Sequence, residues 1–112
     1  MLGLTVRWSL ADAPDGVEEQ LATYVADTSH DRFSGMAGLR FKTWRMRAGE
    51  WFEGCYVFAS DQARAEFQET FTAAAPTAPV SVLIGSAPVL IEACDIVAVV
   101  DGGEGFLAAA RY

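Results

Sequence analysis

Residues 39–47 and 51–59 are two runs of alternating side chains separated by only three residues, Ala48-Gly49-Glu50. A connection that short returns the chain antiparallel to itself, and Gly49 can adopt the backbone angle that such a turn requires. The chain therefore contains a β-hairpin. A hairpin alone is marginal in water, so the flanking segments must cover it and extend its sheet.

Those segments supply what is needed. Leu2, Leu4, Val6, Trp8 and Leu10 alternate with Gly3, Thr5, Arg7 and Ser9, the period of a strand. A helix is predicted over 15–29, where Asp15 and Glu18 have capping-box spacing and Val17, Leu21, Tyr24, Val25 and Thr28 recur at helical intervals. HDRFSGMAG, beginning at His30, reads as a connection. After the hairpin, Ser60 or Asp61 can cap a second helix carrying the stripe Ala63, Phe67, Phe71 and Ala74, which Pro76 and Pro79 interrupt. Residues 80–86, VSVLIGS, fit a short helix or a strand, whereas 88–100, PVLIEACDIVAVV, read as a strand because β-branched residues dominate. The last twelve residues, DGGEGFLAAARY, read as a small helix or an arm. The order β-α-β-β-α-β predicts a ferredoxin-like α+β domain over 1–100: a four-stranded antiparallel sheet with two helices on one face. Residues 101–112 would then form a C-terminal tail able to contact a partner subunit.

That architecture leaves one sheet face bare, and the composition suggests how it is covered. With 52% apolar and 21% charged residues, the polar surface is thin for an isolated small globule, which predicts a homodimer. The net charge of -7, with one lysine against seven arginines, repels phosphate backbones and makes nucleic acid an unsuitable partner. The N-terminal MLGLTVRWSL lacks the basic start of a signal peptide, and Asp95 interrupts the longest apolar run, 93–100; no membrane association is expected, and the setting is read as cytoplasmic. Cys55 and Cys94 have no metal-ligand spacing and suit buried small hydrophobes in a reduced compartment, with a single bridge left open. His30 is the only histidine, so no histidine-based iron triad can be built, and no dinucleotide glycine motif follows a strand; no cofactor is expected. His30 itself reads as an exposed residue after a helix.

The simplest hairpin register sets Arg47 opposite Trp51, Met46 opposite Phe52, Arg45 opposite Glu53, Trp44 opposite Gly54, Lys42 opposite Tyr56 and Arg40 opposite Phe58. One face then holds Phe41, Thr43, Cys55, Val57 and Ala59, with Arg45 and Glu53 paired near the loop. These smaller residues suit the helix-covered side. The other face holds Arg40, Lys42, Trp44, Met46, Phe52, Tyr56 and Phe58, an aromatic wall around cationic groups that would face a partner subunit and enclose a cavity. Rings offer contact area to a flat organic molecule, and Lys42, Arg40 and Arg7 can orient an oxyanion. Glu92, on the last strand, is a further candidate as an inward-facing acid.

GLRFKTW at 38–44 and GCYVFASDQARAEF at 54–67 resemble the pattern of the YdhR-type mono-oxygenases. These are members of the dimeric α/β-barrel superfamily that also contains the antibiotic-biosynthesis monooxygenases. The resemblance runs over residues 4–100 in element order, but the recognisable motif is confined to 38–67 and rests on Gly38, Lys42, Trp44, Gly54, Tyr56 and Phe58. Glu53 departs from it, standing where that family commonly has a second glycine, and the glycine-rich tail is longer. The resemblance implies a homodimer and cofactor-independent oxygenation of a small aromatic, quinol-like or enolisable substrate, which is held as an anion and reacts with molecular oxygen. Under it, Lys42 and Tyr56 are the catalytic candidates, with Trp44, Arg40, Phe52, Phe58, Arg7 and Glu92 as substrate-binding ones. The same residues also fit a non-oxygenase or isomerase-like small-molecule protein, or a purely structural dimeric module in which the rings only pack.

Overall fold

The computed structural model describes residues 1–112. The hairpin forms as its spacing predicts: β2 (Leu39–Arg47) and β3 (Trp51–Phe58) pair antiparallel about Gly49, whose φ is 76°. β1 (Gly3–Ser9) lies against the other edge of β3, and β4 (Leu90–Cys94) against β1, giving the strand order β2-β3-β1-β4 with every pair antiparallel. This is the ferredoxin-like arrangement. Within the chain the sheet is open, with β2 and β4 as its edges, and does not close into a barrel.

The crossover between β1 and β2 is longer than the predicted helix. α1 (Val17–Tyr24) runs through a π turn (Val25–Ser29) into α2 (His30–Phe33), so the segment read as a connection begins as helix. Val17, Leu21, Val25, Ser29 and Phe33 are all buried, at four-residue steps. In an uninterrupted α-helix each such step over-rotates by about 40°, and four of them would carry Phe33 away from the sheet. The wider π turn takes back that drift. The predicted capping box does not form: Gly16 is the N-cap, and Glu18 instead accepts a hydrogen bond from the Gly49 backbone N–H (3.1 Å), tying α1 to the hairpin tip.

The second crossover starts at α3 (Asp61–Ala74), capped by Ser60 Oγ, which accepts from Ala63 N–H. It continues through a 3-10 turn (Ala75–Thr77) into α4 (Pro79–Ile84), which settles 80–86 as helix up to Gly85 in the left-handed region. Ser81 locks this corner to the sheet: its buried hydroxyl accepts from Trp8 Nε1–H (3.0 Å) and donates to the Ala75 carbonyl (2.6 Å).

Two expectations about the hairpin are corrected. The register holds from Arg47–Trp51 through Lys42–Tyr56, but a bulge follows, so Leu39 rather than Arg40 opposes Phe58. Arg40 is extruded at the sheet edge and exposed. The faces are also the reverse of those predicted. β1 pairs Leu4 with Tyr56, Val6 with Gly54 and Trp8 with Phe52, so the side of the hairpin bearing Lys42, Trp44, Phe52, Tyr56 and Phe58 shares the face of β1's apolar residues. That is the helix-covered face. Leu4, Val6, Trp8, Phe52, Tyr56 and Phe58 form one core with Leu21, Val25, Phe33 and Ile84, and Phe67 and Phe71 pack against it. Large rings, not small residues, fill the space between sheet and helices because they remove the most apolar surface from water.

The open face carries Thr5, Arg7, Phe41, Thr43, Arg45, Trp51, Glu53 and Cys55. Beyond Cys94 the chain leaves the sheet as an irregular arm, and the strand predicted to reach residue 100 stops at β4. Gly3 makes room for it: a side chain there would strike Cys94 and Ile96. Further on, Phe106 lies against Phe41 (ring centroids 5.7 Å) and Arg111 pairs with Glu19 (2.6 Å).

Candidate functional site

Lys42 projects from β2 into the space between sheet and helices. Its ammonium nitrogen lies 3.5 Å from the centroid of Phe33, 4.3 Å from that of Tyr56 and 4.4 Å from that of Trp44. β2 contributes Trp44 two residues along the same face, β3 places Tyr56 directly opposite Lys42, and the π turn brings Phe33 over the top. Gly54 opens the floor. A Cβ at that position would sit 3.1 Å from the Tyr56 ring, 3.2 Å from the Tyr56 hydroxyl and 3.2 Å from Lys42 Cε.

No ion pair or hydrogen bond within the protein reaches the amine; the chain's carboxylates are paired elsewhere or point to solvent. Loss of solvation, reinforced by the neighbouring Arg32 guanidinium, lowers the Lys42 pKa from its ordinary value to about 6. This shift favours the neutral amine near pH 7, the form that acts as a base. Burial moves the Tyr56 phenol the opposite way, well above its ordinary value, so its hydroxyl stays protonated and remains a hydrogen-bond donor.

Lys42 borders a cavity of about 40 Å³, whose walls include Trp8, Tyr24, Ser29, Arg32, Phe52 and Gly54. A water needs roughly 10–15 Å³ of such space, so the chamber admits a few waters or the end of a small ligand. A separate surface groove of about 270 Å³, between α2 and the α3–α4 corner, shares the walls Arg32, Phe71, Ala78 and Pro79 with it. Arg32, exposed and lying 5.0 Å from the Phe33 ring centroid, stands where the two spaces meet.

Of the residues singled out in the sequence, Lys42, Tyr56, Trp44 and Phe52 are brought together here. Phe58 is adjacent but sealed in the core, stacked on Tyr56 (5.9 Å, 11° between planes). Arg40, Arg7 and Glu92 do not join them. Arg40 is on the edge bulge, and Glu92, opposite Thr5 on the open face, is exposed. Arg7 is held by Glu53, which also binds Arg45 through hydrogen bonds of 2.8 and 2.7 Å to their Nε atoms, forming a clamp across three strands. Burial alone would push the Glu53 carboxyl up; the two guanidiniums outweigh it and hold the carboxyl below the ordinary range. This clamp accounts for the burial of a charged residue at position 53. His30, expected to be exposed, is half-buried with its ring 6.1 Å from that of Trp44.

Tyr24 as a wall residue, and Arg32 altogether, lie outside the residues that the sequence singles out for the site. Tyr24 was visible on the helical stripe, but Arg32 fell in the segment read as a connection, and only the π turn gives it the phase to face Lys42.

No family model and no curated protein matches the chain. Among solved structures, it is similar to the crystal structure of a protein of unknown function from Nitrosomonas europaea, with a TM-score of 0.65 and 25% identity over 91% of this chain and 94% of that one.

Proposed function

We propose that the protein is a cofactor-independent monooxygenase acting on a small phenolic, quinol-like or enolisable molecule, with Lys42 as general base. The observation that carries this reading is an amine without an acidic partner, packed among three rings and bordering a chamber whose wall includes the exposed Arg32. A base with a pKa near 6 can take a proton from an acidified C–H or O–H at neutral pH. Once protonated, Lys42 stabilises the anion it has made, and Arg32 adds a second positive charge at the mouth. The anion, being electron-rich, supplies the electrons for its own oxygenation: an activated methylene becomes a carbonyl, consuming one dioxygen and releasing one water. Trp44 and Phe52 confine the reacting carbon, and Tyr56 donates a hydrogen bond to its oxygen. The resemblance of 38–67 to the YdhR-type mono-oxygenases supports the same assignment.

The small inner chamber favours a second reading, a non-oxygenase enzyme of isomerase type in which Lys42 moves a proton without dioxygen. Oxygen-electrode measurements with quinols, catechols and polycyclic phenols separate the two. Uptake that drops by roughly 10²-fold or more in Lys42→Met supports the oxygenase; solvent-deuterium incorporation into an enolisable substrate without uptake supports the isomerase-like reading.

Two copies are further proposed to associate through the open sheet face. Supporting this are the apolar arm residues Val97, Val100, Phe106 and Leu107, all exposed in the single chain.

A further inference from the structure

We propose that Lys42 is also a covalent carbonyl-binding residue: its amine forms an imine with a small 2-oxo acid whose carboxylate rests on Arg32. The inference rests on the preceding reading that this amine is reachable and unpaired, and it names a substrate class for the same chamber. Three observations support it. The lysine nitrogen is held among Phe33, Trp44 and Tyr56 with no carboxylate to bind it as an ammonium, an environment that keeps an amine nucleophilic. The chamber has room for only a few heavy atoms beside that nitrogen. The one other formal charge on its wall is the Arg32 guanidinium, at the junction with the outer groove, where a carboxylate one bond from a carbonyl carbon can be received as a hydrogen-bonded ion pair.

The chemistry balances without an oxidant or metal. The Lys42 nitrogen lone pair adds to the carbonyl carbon, forming the C–N bond while one amine proton passes to the carbonyl oxygen. The resulting hydroxyl then leaves as water with the second amine proton, giving a C=N bond. The Tyr56 hydroxyl, which lies beside the wall residue Gly54 and whose ring is 4.3 Å from the Lys42 nitrogen, can donate to that oxygen in both halves. The ionisable groups around the nitrogen are Arg32 from α2, Tyr24 from α1 and Tyr56 from β3, with Cys55 behind the sheet. None is a carboxylate that would restore the ammonium form.

The composition makes the test unusually direct, because Lys42 is the only lysine and the sole other amine is the N-terminus of Met1, which is exposed and paired with Asp61. The full chain is incubated near pH 7 with glyoxylate and cyanoborohydride, and the carboxymethyl adduct is located by peptide mass spectrometry. The expected result is saturable labelling of Lys42, with Arg32→Gln requiring roughly tenfold more glyoxylate. Labelling of Met1 with Lys42 unmodified in the folded chain, while urea exposes Lys42 to the reagent, would overturn the proposal; unchanged concentration dependence in Arg32→Gln would overturn the carboxylate assignment. The pH dependence of Lys42 acylation by acetic anhydride separates this from failure of the underlying reading. A midpoint near 6 without imine trapping leaves Lys42 as a base only, and the midpoint of an ordinary lysine removes both.

Discussion

The central residue works against the stability of its own fold. Unfolded, Lys42 has the ordinary lysine pKa of about 10.4; folded, loss of solvation and then Arg32 lower it to about 6. Between those values the unfolded chain holds a proton that the folded chain lacks, so stability rises with pH from about 6 to about 10.4. Below that window both forms are protonated and the cost is complete; above it both are neutral and the cost is gone. Lys42→Met keeps the stem's bulk without the amine. It should abolish this slope and raise stability at pH 7 by roughly 2 kcal/mol or more, read from urea unfolding across pH. Equal slopes in the two proteins would mean the folded amine is solvated. Gly54 is the complementary position: Gly54→Ala should keep the fold, cost about 1–3 kcal/mol by overpacking, and block acylation of Lys42, since the new methyl occupies the floor beneath Lys42 and Tyr56. Acylation at the wild-type rate would show that the floor is not part of the site. Among the site residues, Lys42, Trp44 and Tyr56 were legible because strand alternation puts them on one face. Arg7, Arg40 and Glu92 were not separable from them, since a period of two says which residues share a face but not where each face looks or where a bulge falls.

Elements carry the fold's main device, the π turn. It holds five buried residues from Val17 to Phe33 in a single stripe and delivers Phe33 and Arg32 to the site. A regular helical period matches the first half of that stripe and departs from it after Val25, so Thr28, which that period places on the stripe, is exposed in the fold. At the other crossover, Ser81 is only 2% exposed and serves both the Trp8 indole and the Ala75 carbonyl. Ser81→Ala leaves both without their partner and should cost about 1–3 kcal/mol in thermal or urea unfolding. A loss below about 0.5 kcal/mol would mean that the α4 corner relaxes to satisfy them otherwise. The short helix itself was ambiguous because a segment as short as 80–86, with Val80, Val82, Leu83 and Ile84, satisfies either period; Pro79 at its start and Gly85 at its end were the signals that resolve it.

At the scale of the whole molecule, one sheet face is covered by helices and the other only by a partly apolar arm. If a second copy completes that cover, sedimentation should show a two-chain species at micromolar concentration, and Val100→Asp with Leu107→Asp should shift it toward the single chain without altering the far-ultraviolet spectrum. A single-chain species throughout, in the unaltered protein, would remove the homodimer and leave the arm as an internal cover tied down by Phe41 and Glu19. No helix is long and apolar enough to cross a membrane. By itself, the order of periodic segments determined the ferredoxin-like topology, because a three-residue turn and alternating runs leave the chain few ways to pair its strands. Which face of the hairpin became the interior was decided only by tertiary pairing. β1 aligns its apolar row with Phe52, Tyr56 and Phe58, the helices cover that row, and Lys42 is thereby drawn out of water and its pKa lowered.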